Sequence, residues 1–513
     1  MGKKKIIINI ISSFAMQGVA IIYGLIIPRL IIETYGSEVN GLIVSITQFL
    51  GYIVLLEAGI GPVVKSALYK PISEKNKEKI KSILKSAQSF FRKIAIAFIL
   101  YILILMFIIP NIVSDSFDNI FIISLIAIMA IGKSSEYFFG ILNTLYLQAE
   151  QKNFIDSIIR IAIYIINIII IYIVVKFKLS ILIVQSVIDI TFLLKPLIQY
   201  VYIKKKYNLN LRSKNIKKEE LNQKMDALIH HIAFIINWNT DVVVLTILTN
   251  LKEVSVYSVY TLVLIGIRTI LISVASVFEA PFGQLWAKEN INELKRKFEN
   301  FEKIYISILA IIYSIVFVTI IPFIQVYTVG IKDVNYIQPL FANLIVLAYL
   351  THAIRVCYTT LIFPIGHFKQ TSKGAWVEAI INILLSIILV AKFGIIGVAI
   401  GTCVALGIRA IEFMIYVSKK ILNKKVWGSV KVILVAGSQI VIVIILSNIL
   451  PEFDNISYIG WIIYAVQVGI IACLVIGTSS SIIYRSDIKE VINILKNLLK
   501  RKNSKIENNK IEK

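Results

Sequence analysis

The chain has 513 residues, of which 58% are hydrophobic and 16% are charged, and its mean hydropathy is +0.82. A soluble domain has about 45–50% apolar and about 25% charged residues. This composition excludes a soluble enzyme, because lipid must be the solvent for most of the apolar surface. The net charge of +24 does not indicate nucleic acid, since Lys and Arg fall between apolar segments and no nucleic-acid-binding motif is present.

The sequence contains no motif for a cofactor or a metal ion. The three cysteines, Cys357, Cys403 and Cys473, are isolated within apolar segments, so neither a disulfide framework nor a zinc site is expected. Gly132-Lys133-Ser134 resembles the end of a phosphate-binding loop, but the first glycine of that motif is missing and the segment lies inside an apolar span. We therefore expect neither nucleotide, metal nor other cofactor.

Apolar segments of about 20 residues, the length that crosses a bilayer as a helix, recur along the whole chain. They predict an all-α integral membrane protein with about 14 transmembrane helices. The predicted spans lie near 6–32, 41–64, 94–113, 120–147, 157–175, 181–203, 226–249, 254–280, 302–328, 337–366, 376–391, 395–418, 431–450 and 458–480.

Loop charge predicts the orientation. Basic residues concentrate after the second and sixth spans, whereas alternate loops such as 114–119 and 451–457 are short and carry acidic residues. The positive-inside rule places the basic loops and both termini in the cytoplasm, and the protein in the inner (cytoplasmic) membrane. After the last span, 487–500 has the pattern of an amphipathic helix on the cytoplasmic leaflet. The basic loops contain Lys65, Lys70, Lys75, Lys77, Lys79, Lys81, Lys85, Arg92 and Lys93, and Lys204, Lys205, Lys206, Arg212, Lys214, Lys217, Lys218 and Lys224.

The chain also repeats itself. Lys176-Phe177-Lys178-Leu179 recurs as Lys392-Phe393-Gly394-Ile395, and Ser37-Glu38-Val39 recurs as Lys252-Glu253-Val254 at almost the same offset along the chain. Two agreeing offsets predict two six-helix bundles related by a pseudo-two-fold axis along the membrane normal, which is a transporter architecture. The predicted domains are the first bundle with its basic linker (1–225), the second bundle (226–430), two further helices (431–484) and an amphipathic helix with a basic tail (485–513).

Ionisable residues inside spans are the candidates for function, because a charge in the bilayer is costly unless it is paired or hydrated. The cations predict an anionic substrate, since a guanidinium matches pyrophosphate geometry. His352 precedes Arg355 by one helical turn and either shares its pocket or is a packed polar residue. The candidate substrate-binding residues are Arg29, Arg268, Arg355, Arg409 and Lys133. The candidates for ion coupling are Asp241, Asp189 and Glu57.

Several of these residues also have a purely structural explanation. Arg409 with Glu412, and Lys133 with Glu136, are spaced to neutralise each other on one helix face. Arg29 could extend to the membrane interface, and Asp241 could serve only helix–helix hydrogen bonding.

The beginning of the chain resembles a known family. Asn9, Gln17, Pro28-Arg29 and the segment Tyr35-Gly36-Ser37-Glu38-Val39-Asn40-Gly41 are similar to the first hairpin of Wzx-type polysaccharide flippases, and Leu55 to Gly61 also fits that family. These proteins belong to the multidrug/oligosaccharidyl-lipid/polysaccharide (MOP) superfamily. The resemblance implies flipping of undecaprenyl-pyrophosphate-linked oligosaccharide to the outer leaflet, with Arg29 and Arg268 best placed for the pyrophosphate. It also implies contact with membrane lipids and with other polysaccharide-assembly proteins.

Other functions remain open from the sequence. Within transport, the alternatives are a peptidoglycan-precursor flippase and a drug or cation antiporter of the same fold; an antiporter would use unpaired acids, for which Asp241 and Asp189 are the candidates. A membrane enzyme is not expected, because a polymerase would have a sizeable outer loop and a glycosyltransferase a cytoplasmic catalytic domain. A non-transporting scaffold would not explain arginines deep within spans.

Overall fold

The computed structural model describes residues 3–57, 60–113, 116–207, 225–451, 453–454 and 456–484. These residues form helices joined by short turns, and the predicted all-α membrane architecture is confirmed. The first half contains α1 (Lys3–Tyr35), α2 (Ser37–Gly51), α3 (Val54–Glu57), α4 (Ile60–Ser73), α5 (Lys77–Ile112), α6 (Asn119–Ser135), α7 (Ile141–Ala149), α8 (Asn153–Lys176) and α9 (Ile181–Tyr207). The second half contains α10 (Met225–Leu248), α11 (Leu251–Ser276), α12 (Glu279–Ala287), α13 (Ile291–Tyr327), α14 (Pro339–Ile362), α15 (Phe368–Phe393), α16 (Ile395–Tyr416), α17 (Val426–Ser447) and α18 (Tyr458–Ile483).

Twelve of the described helical segments are long and apolar enough to cross a membrane. The two other predicted spans, the second and the seventh, are also helical, but they differ in form. The seventh is α10, whose described apolar part is 239–248. The amphipathic helix predicted at 487–500 and the basic linker that ends the first predicted domain lie outside the described residues.

The second predicted span, 41–64, is not a continuous helix. It is divided among α2, α3 and α4, and α4 continues to Ser73. In the sequence, Gly51 ends α2, and Gly61 and Pro62 lie in the first turn of α4. Glycine is entropically costly in a helix and proline removes a helix hydrogen bond, so this composition favours a break. Hydropathy alone did not reveal it, because the segment is apolar throughout.

The predicted duplication reappears in the helix boundaries. The first residues of α2 and α11, of α5 and α13, and of α9 and α16 are separated by the same length of chain, and α8 and α15 depart from it by a single position. The turn before α5 has a positive φ at Lys75, and the turn before α13 has one at Glu289, both 55°. Asn76 then caps α5 through the backbone N–H of Lys79, and Asn290 caps α13 through that of Glu293. The same turn and cap are thus built twice.

The chain packs as two compact units that do not follow the order of the sequence. Unit 1 comprises Met1–Gly266, Tyr327–Tyr336 and Phe368–Ala405, and unit 2 comprises Ile267–Val326, Ile337–His367 and Leu406–Lys513. In unit 1 the apolar core lies between α2, α4, α5, α6 and α7. The domain boundaries derived from the sequence remain a prediction.

Candidate functional site

Unit 2 brings together two of the predicted cations. Arg268 of α11 and Arg355 of α14 lie close enough for their charges to interact, and both interact with His352. His352 is 3% exposed and lies one turn before Arg355, so it shares the arginine pocket, as one of the two sequence interpretations proposed. Tyr349 and Tyr313 also border Arg268. This arrangement is a cationic cluster with two neighbouring tyrosines on the apolar helices α11, α13 and α14.

The position of this cluster depends on the long helix α13. The hydroxyl of Tyr313, on α13, donates to the backbone carbonyl of Tyr349, 2.9 Å away on α14, and both rings are buried. This bond fixes α14 against α13 within two turns of Arg355. The two arginines are therefore held by packed helices rather than by loops.

Arg409 is neutralised on its own helix. Its guanidinium Nη1 lies 2.5 Å from the Glu412 carboxylate and its charge lies 4.0 Å above the Phe413 ring. The side chain is 2% exposed. The i,i+3 pairing that the sequence offered as the structural explanation is therefore present.

Lys133 is exposed on α6, near the carboxylates of Glu136 and Asp189. Asp189, on α9, accepts a hydrogen bond of 2.8 Å from Gln185 and packs directly on Gly132. A Cβ at Gly132 would overlap the Asp189 carboxylate, so glycine permits the approach of α9 to α6. The structure thus brings Lys133 and Asp189 together, although the sequence placed them in two different roles.

Glu57, at the end of the short helix α3, is hydrogen-bonded to Tyr137 and lies near Glu136. Glu136 opens a π-helical turn, Glu136–Gly140, between α6 and α7. Such turns are rare and frequently occur at functional sites. Glu57 is therefore part of a larger polar region that contains this π-helical turn and side chains of α8 and α9.

Sequence reasoning missed most of this region. Lys195 of α9 is 6% exposed and its ammonium lies 2.8 Å from Glu136 and 3.6 Å from Asp156. Arg160 lies 2.8 Å from Asp156 and 3.9 Å from Glu136. The four side chains form a closed ring of alternating charge. Only the i,i+4 spacing of Asp156 and Arg160 was visible in the sequence, because the other partners come from separate helices.

Asp241 is the most deeply buried of the predicted acids, at 3% exposed. Its Oδ2 accepts hydrogen bonds from Tyr257 at 2.8 Å and from Thr402 at 2.7 Å. Asn382 of α15 completes the group by donating from Nδ2 to Thr402 at 3.1 Å. The Oδ1 atoms of Asp241 and Asn382 are buried without a hydrogen-bond partner among the described residues. Two oxygens thus remain available to a ligand.

The remaining predicted cation, Arg29, donates its hydrogen bonds to backbone carbonyl groups. Its two terminal nitrogens donate to the carbonyls of Tyr327, at 2.5 Å, and Val329, at 2.6 Å. Its Nε lies 3.5 Å from Glu33. Arg29 belongs to unit 1, whereas Arg268 and Arg355 belong to unit 2.

Comparison with known proteins gives the fold. No protein-family model matches the chain, and no curated protein matches its sequence. The chain is similar to a solved structure of the lipid II flippase MurJ in an inward closed conformation, with 18% identity and a TM-score of 0.68, over 94% of this chain and 100% of that chain. It is also similar to an inward-facing multidrug resistance MATE family transporter of the MOP superfamily, with 13% identity and a TM-score of 0.60, over 82% of this chain and 96% of that chain. The chain therefore has the fold of these two transporters, and its apolar helices indicate a multi-pass membrane protein.

Proposed function

We propose that this protein is a flippase that moves undecaprenyl-pyrophosphate-linked oligosaccharide units from the inner to the outer leaflet of the cytoplasmic membrane, for surface polysaccharide assembly. Both termini would lie in the cytoplasm, where the basic loops also lie. The observation that carries the proposal is the proximity of Arg268 and Arg355. A dianionic group that lies between two adjacent guanidinium groups interacts favourably with both of them.

A pyrophosphate suits this pair better than a single carboxylate. Each guanidinium presents a planar fork of N–H donors that binds two phosphate oxygens at once, and two adjacent forks match two adjacent phosphates. His352 and Tyr349 beside them supply further polar atoms for the sugar–phosphate junction. Arg409, Lys133 and Arg29 remain the secondary candidates for contact with the substrate, and each of them also interacts with another group of the protein.

We further propose that Asp241 is the site of ion coupling. The available Oδ1 atoms of Asp241 and Asn382 and the Thr402 hydroxyl are oxygen ligands, which Na⁺ and other hard cations prefer, and a proton on Asp241 is the alternative charge carrier. Asp189 and Glu57 remain the secondary candidates, since Asp189 is near Lys133 and Glu57 is bonded to Tyr137.

Two other functions of the same fold are supported by particular observations. The similarity to the structure of the lipid II flippase MurJ favours a peptidoglycan-precursor flippase. The buried Asp241 and the similarity to the MATE transporter favour a drug or cation antiporter.

One reconstitution experiment separates these functions. Purified protein in liposomes is offered undecaprenyl-pyrophosphate-oligosaccharide, lipid II or an organic cation, each in separate vesicles. The proposal expects movement of the oligosaccharide lipid and slower movement of lipid II. Equal or faster movement of lipid II would assign the precursor function instead, and export of the cation alone would assign the antiporter.

A further inference from the structure

Residues 327–336, at the end of α13 and in the segment that leads to α14, form several hydrogen bonds with the corner between α1 and α2. All of these residues belong to unit 1. The corner comes from the first half of the duplicated chain and the turn from the second half. The partners are far apart in the sequence, and the hydrogen bonds between them are therefore contacts between the two repeats.

At the first point, a cation binds the end of a helix. The guanidinium of Arg29 donates to the carbonyls of Tyr327 and Val329, at the C-terminus of α13. The last carbonyls of a helix have no partner within it and carry partial negative charge, so a cation stabilises them. The Tyr327 hydroxyl in turn donates a hydrogen bond of 2.7 Å to the carbonyl of Leu25 on α1.

At the second point, an anion binds the beginning of a helix. The Asp333 carboxylate accepts from the backbone N–H of Ser37 at 2.7 Å and from its hydroxyl at 2.8 Å. Ser37 is the first residue of α2, where unpaired N–H groups favour an anion. Gly36 has a φ of 89°, which turns the chain so that this N–H faces Asp333. The signs of both charges therefore match the helix ends that they contact.

A chain of hydroxyl groups continues the contact towards α11. The Tyr336 hydroxyl donates to the Ser37 hydroxyl at 2.7 Å and lies 2.9 Å from that of Ser255. Burial raises the pKa of the Tyr336 phenol above its ordinary value, so the group keeps its proton. Asn40 on α2 donates to Ser255 at 2.8 Å and to Ser258 at 3.2 Å.

The surface between α2 and the α10–α11 pair contains several buried polar contacts. Besides the bonds of Asn40, it contains the hydroxyl pair of Ser45 and Thr246, 2.7 Å apart. The other side of α2 is apolar, with Leu42 and Ile46 in the core of unit 1. Hydroxyls, amides and ions exchange protein partners for water at a small net cost, whereas apolar surface does not. The polar side is therefore suited to contact protein in one state and water in another.

We propose that Arg29, Ser37, Asp333 and Tyr336 form a latch that closes the two repeats on each other at this end of α1 and α2, and that it opens during transport. This inference rests on the proposed transport function. The hydrogen bonds of Arg29 to Tyr327 and Val329 give that arginine a role in conformational change in addition to the substrate contact predicted from the sequence. Asp333 is already exposed to solvent, so water can reach the latch from its outer side.

Thiol labelling tests the latch without any substrate. Cys357, Cys403 and Cys473 are replaced, and Ser255→Cys is introduced as a reporter, because Ser255 is fully buried behind the latch. The rate at which a membrane-impermeant maleimide labels this cysteine in proteoliposomes then measures how often the surface is exposed to water. Loss of the Asp333 charge in Asp333→Asn is expected to increase the labelling rate about tenfold, the effect of losing charge-assisted hydrogen bonds.

Two controls make the result specific. Lys332→Ala removes the charge of the adjacent exposed residue and is expected to leave labelling unchanged. Ser314→Cys reports on a fully buried position of α13 in unit 2 and is expected to stay unlabelled in Asp333→Asn. If Ser255→Cys does not fold, Ser258→Cys reports on the same surface.

The proposed latch is contradicted if Asp333→Asn leaves the labelling rate of Ser255→Cys unchanged. It is also contradicted if Asp333→Asn increases the labelling of Ser314→Cys equally, because that would indicate general loosening of the fold. A faster rate specific to Ser255→Cys supports it. Because no substrate is present, this result stands even if the protein moves no lipid-linked oligosaccharide, in which case the proposed substrate fails and the latch does not.

Discussion

The ammonium of Lys424 lies 2.7 Å from the carboxylate of Glu302 inside unit 2, and the two side chains are only 6% and 2% exposed. The other carboxylate oxygen accepts a hydrogen bond of 2.9 Å from the Tyr358 hydroxyl. Lys424 also lies 5.5 Å from the centre of the Phe298 ring. The three polar groups join α13, α14 and the segment before α17, so this buried pair fixes the relative position of helices within the unit.

Loss of one partner of this pair should destabilise the protein strongly. Lys424→Met leaves the Glu302 charge buried without its cation, which costs about 3–5 kcal/mol. The double variant Lys424→Met/Glu302→Leu removes both charges and should recover much of this loss. Thermal unfolding of the purified protein in detergent measures both. The matched control is Lys297→Ala on the same helix as Glu302, whose pair with Glu293 is solvent-exposed and should contribute less than about 0.5 kcal/mol. A single variant as stable as this control would contradict the prediction.

A second prediction concerns the contact of α2 with α11. A Cβ at Gly41 would overlap the backbone carbonyl of Leu251, which cannot move aside as a side chain would. Gly41→Ala should therefore lower stability by about 1–3 kcal/mol through overpacking. Gly407→Ala, at a helical position with no atom within 4 Å of the added Cβ, should raise stability by about 0.5–1 kcal/mol. The sign of the change in melting temperature distinguishes the two, and an unchanged melting temperature for Gly41→Ala would refute the close approach.

A third prediction tests the coupling site. If a cation binds at Asp241, it stabilises the folded protein increasingly as its concentration rises. Na⁺ should then raise the melting temperature of the wild type, with no effect on Asp241→Asn, while Glu293→Gln at an exposed position should behave as the wild type. If Na⁺ has no effect, dependence of transport on a proton gradient should be lost in Asp241→Asn. Ion-dependent transport that survives the substitution would remove Asp241 from this role.

The features that the sequence predicted well are those encoded locally. Span positions follow from runs of apolar residues, and the duplication follows from matching segments at a nearly constant offset, which the helix starts reproduce. The pair of Arg409 and Glu412 was visible because three residues make almost one helical turn. For the same reason, the sequence offered proximity of His352 to Arg355 as one of two interpretations.

The features that were missed depend on contacts between distant segments. Nothing near Arg29 in the sequence identifies the carbonyls of Tyr327 and Val329 as its partners. Lys195, within the predicted span 181–203, was not among the candidate residues, whereas it is buried between Glu136 and Asp156 from other helical segments. Such partners are chosen by tertiary packing, which hydropathy and helical periodicity do not encode.

The most direct test of the central claim is the rate at which the protein moves undecaprenyl-pyrophosphate-oligosaccharide across proteoliposomes, with Arg268→Ala, Arg268→Lys and the exposed control Arg92→Ala. Loss of the guanidinium fork should slow Arg268→Ala at least about tenfold, since hydrogen bonds to charged groups contribute roughly 1.5–3 kcal/mol. Arg268→Lys should retain an intermediate rate and Arg92→Ala the full rate. Folded Arg268→Ala protein that moves the lipid as fast as the wild type would contradict a cationic substrate site at Arg268 and Arg355.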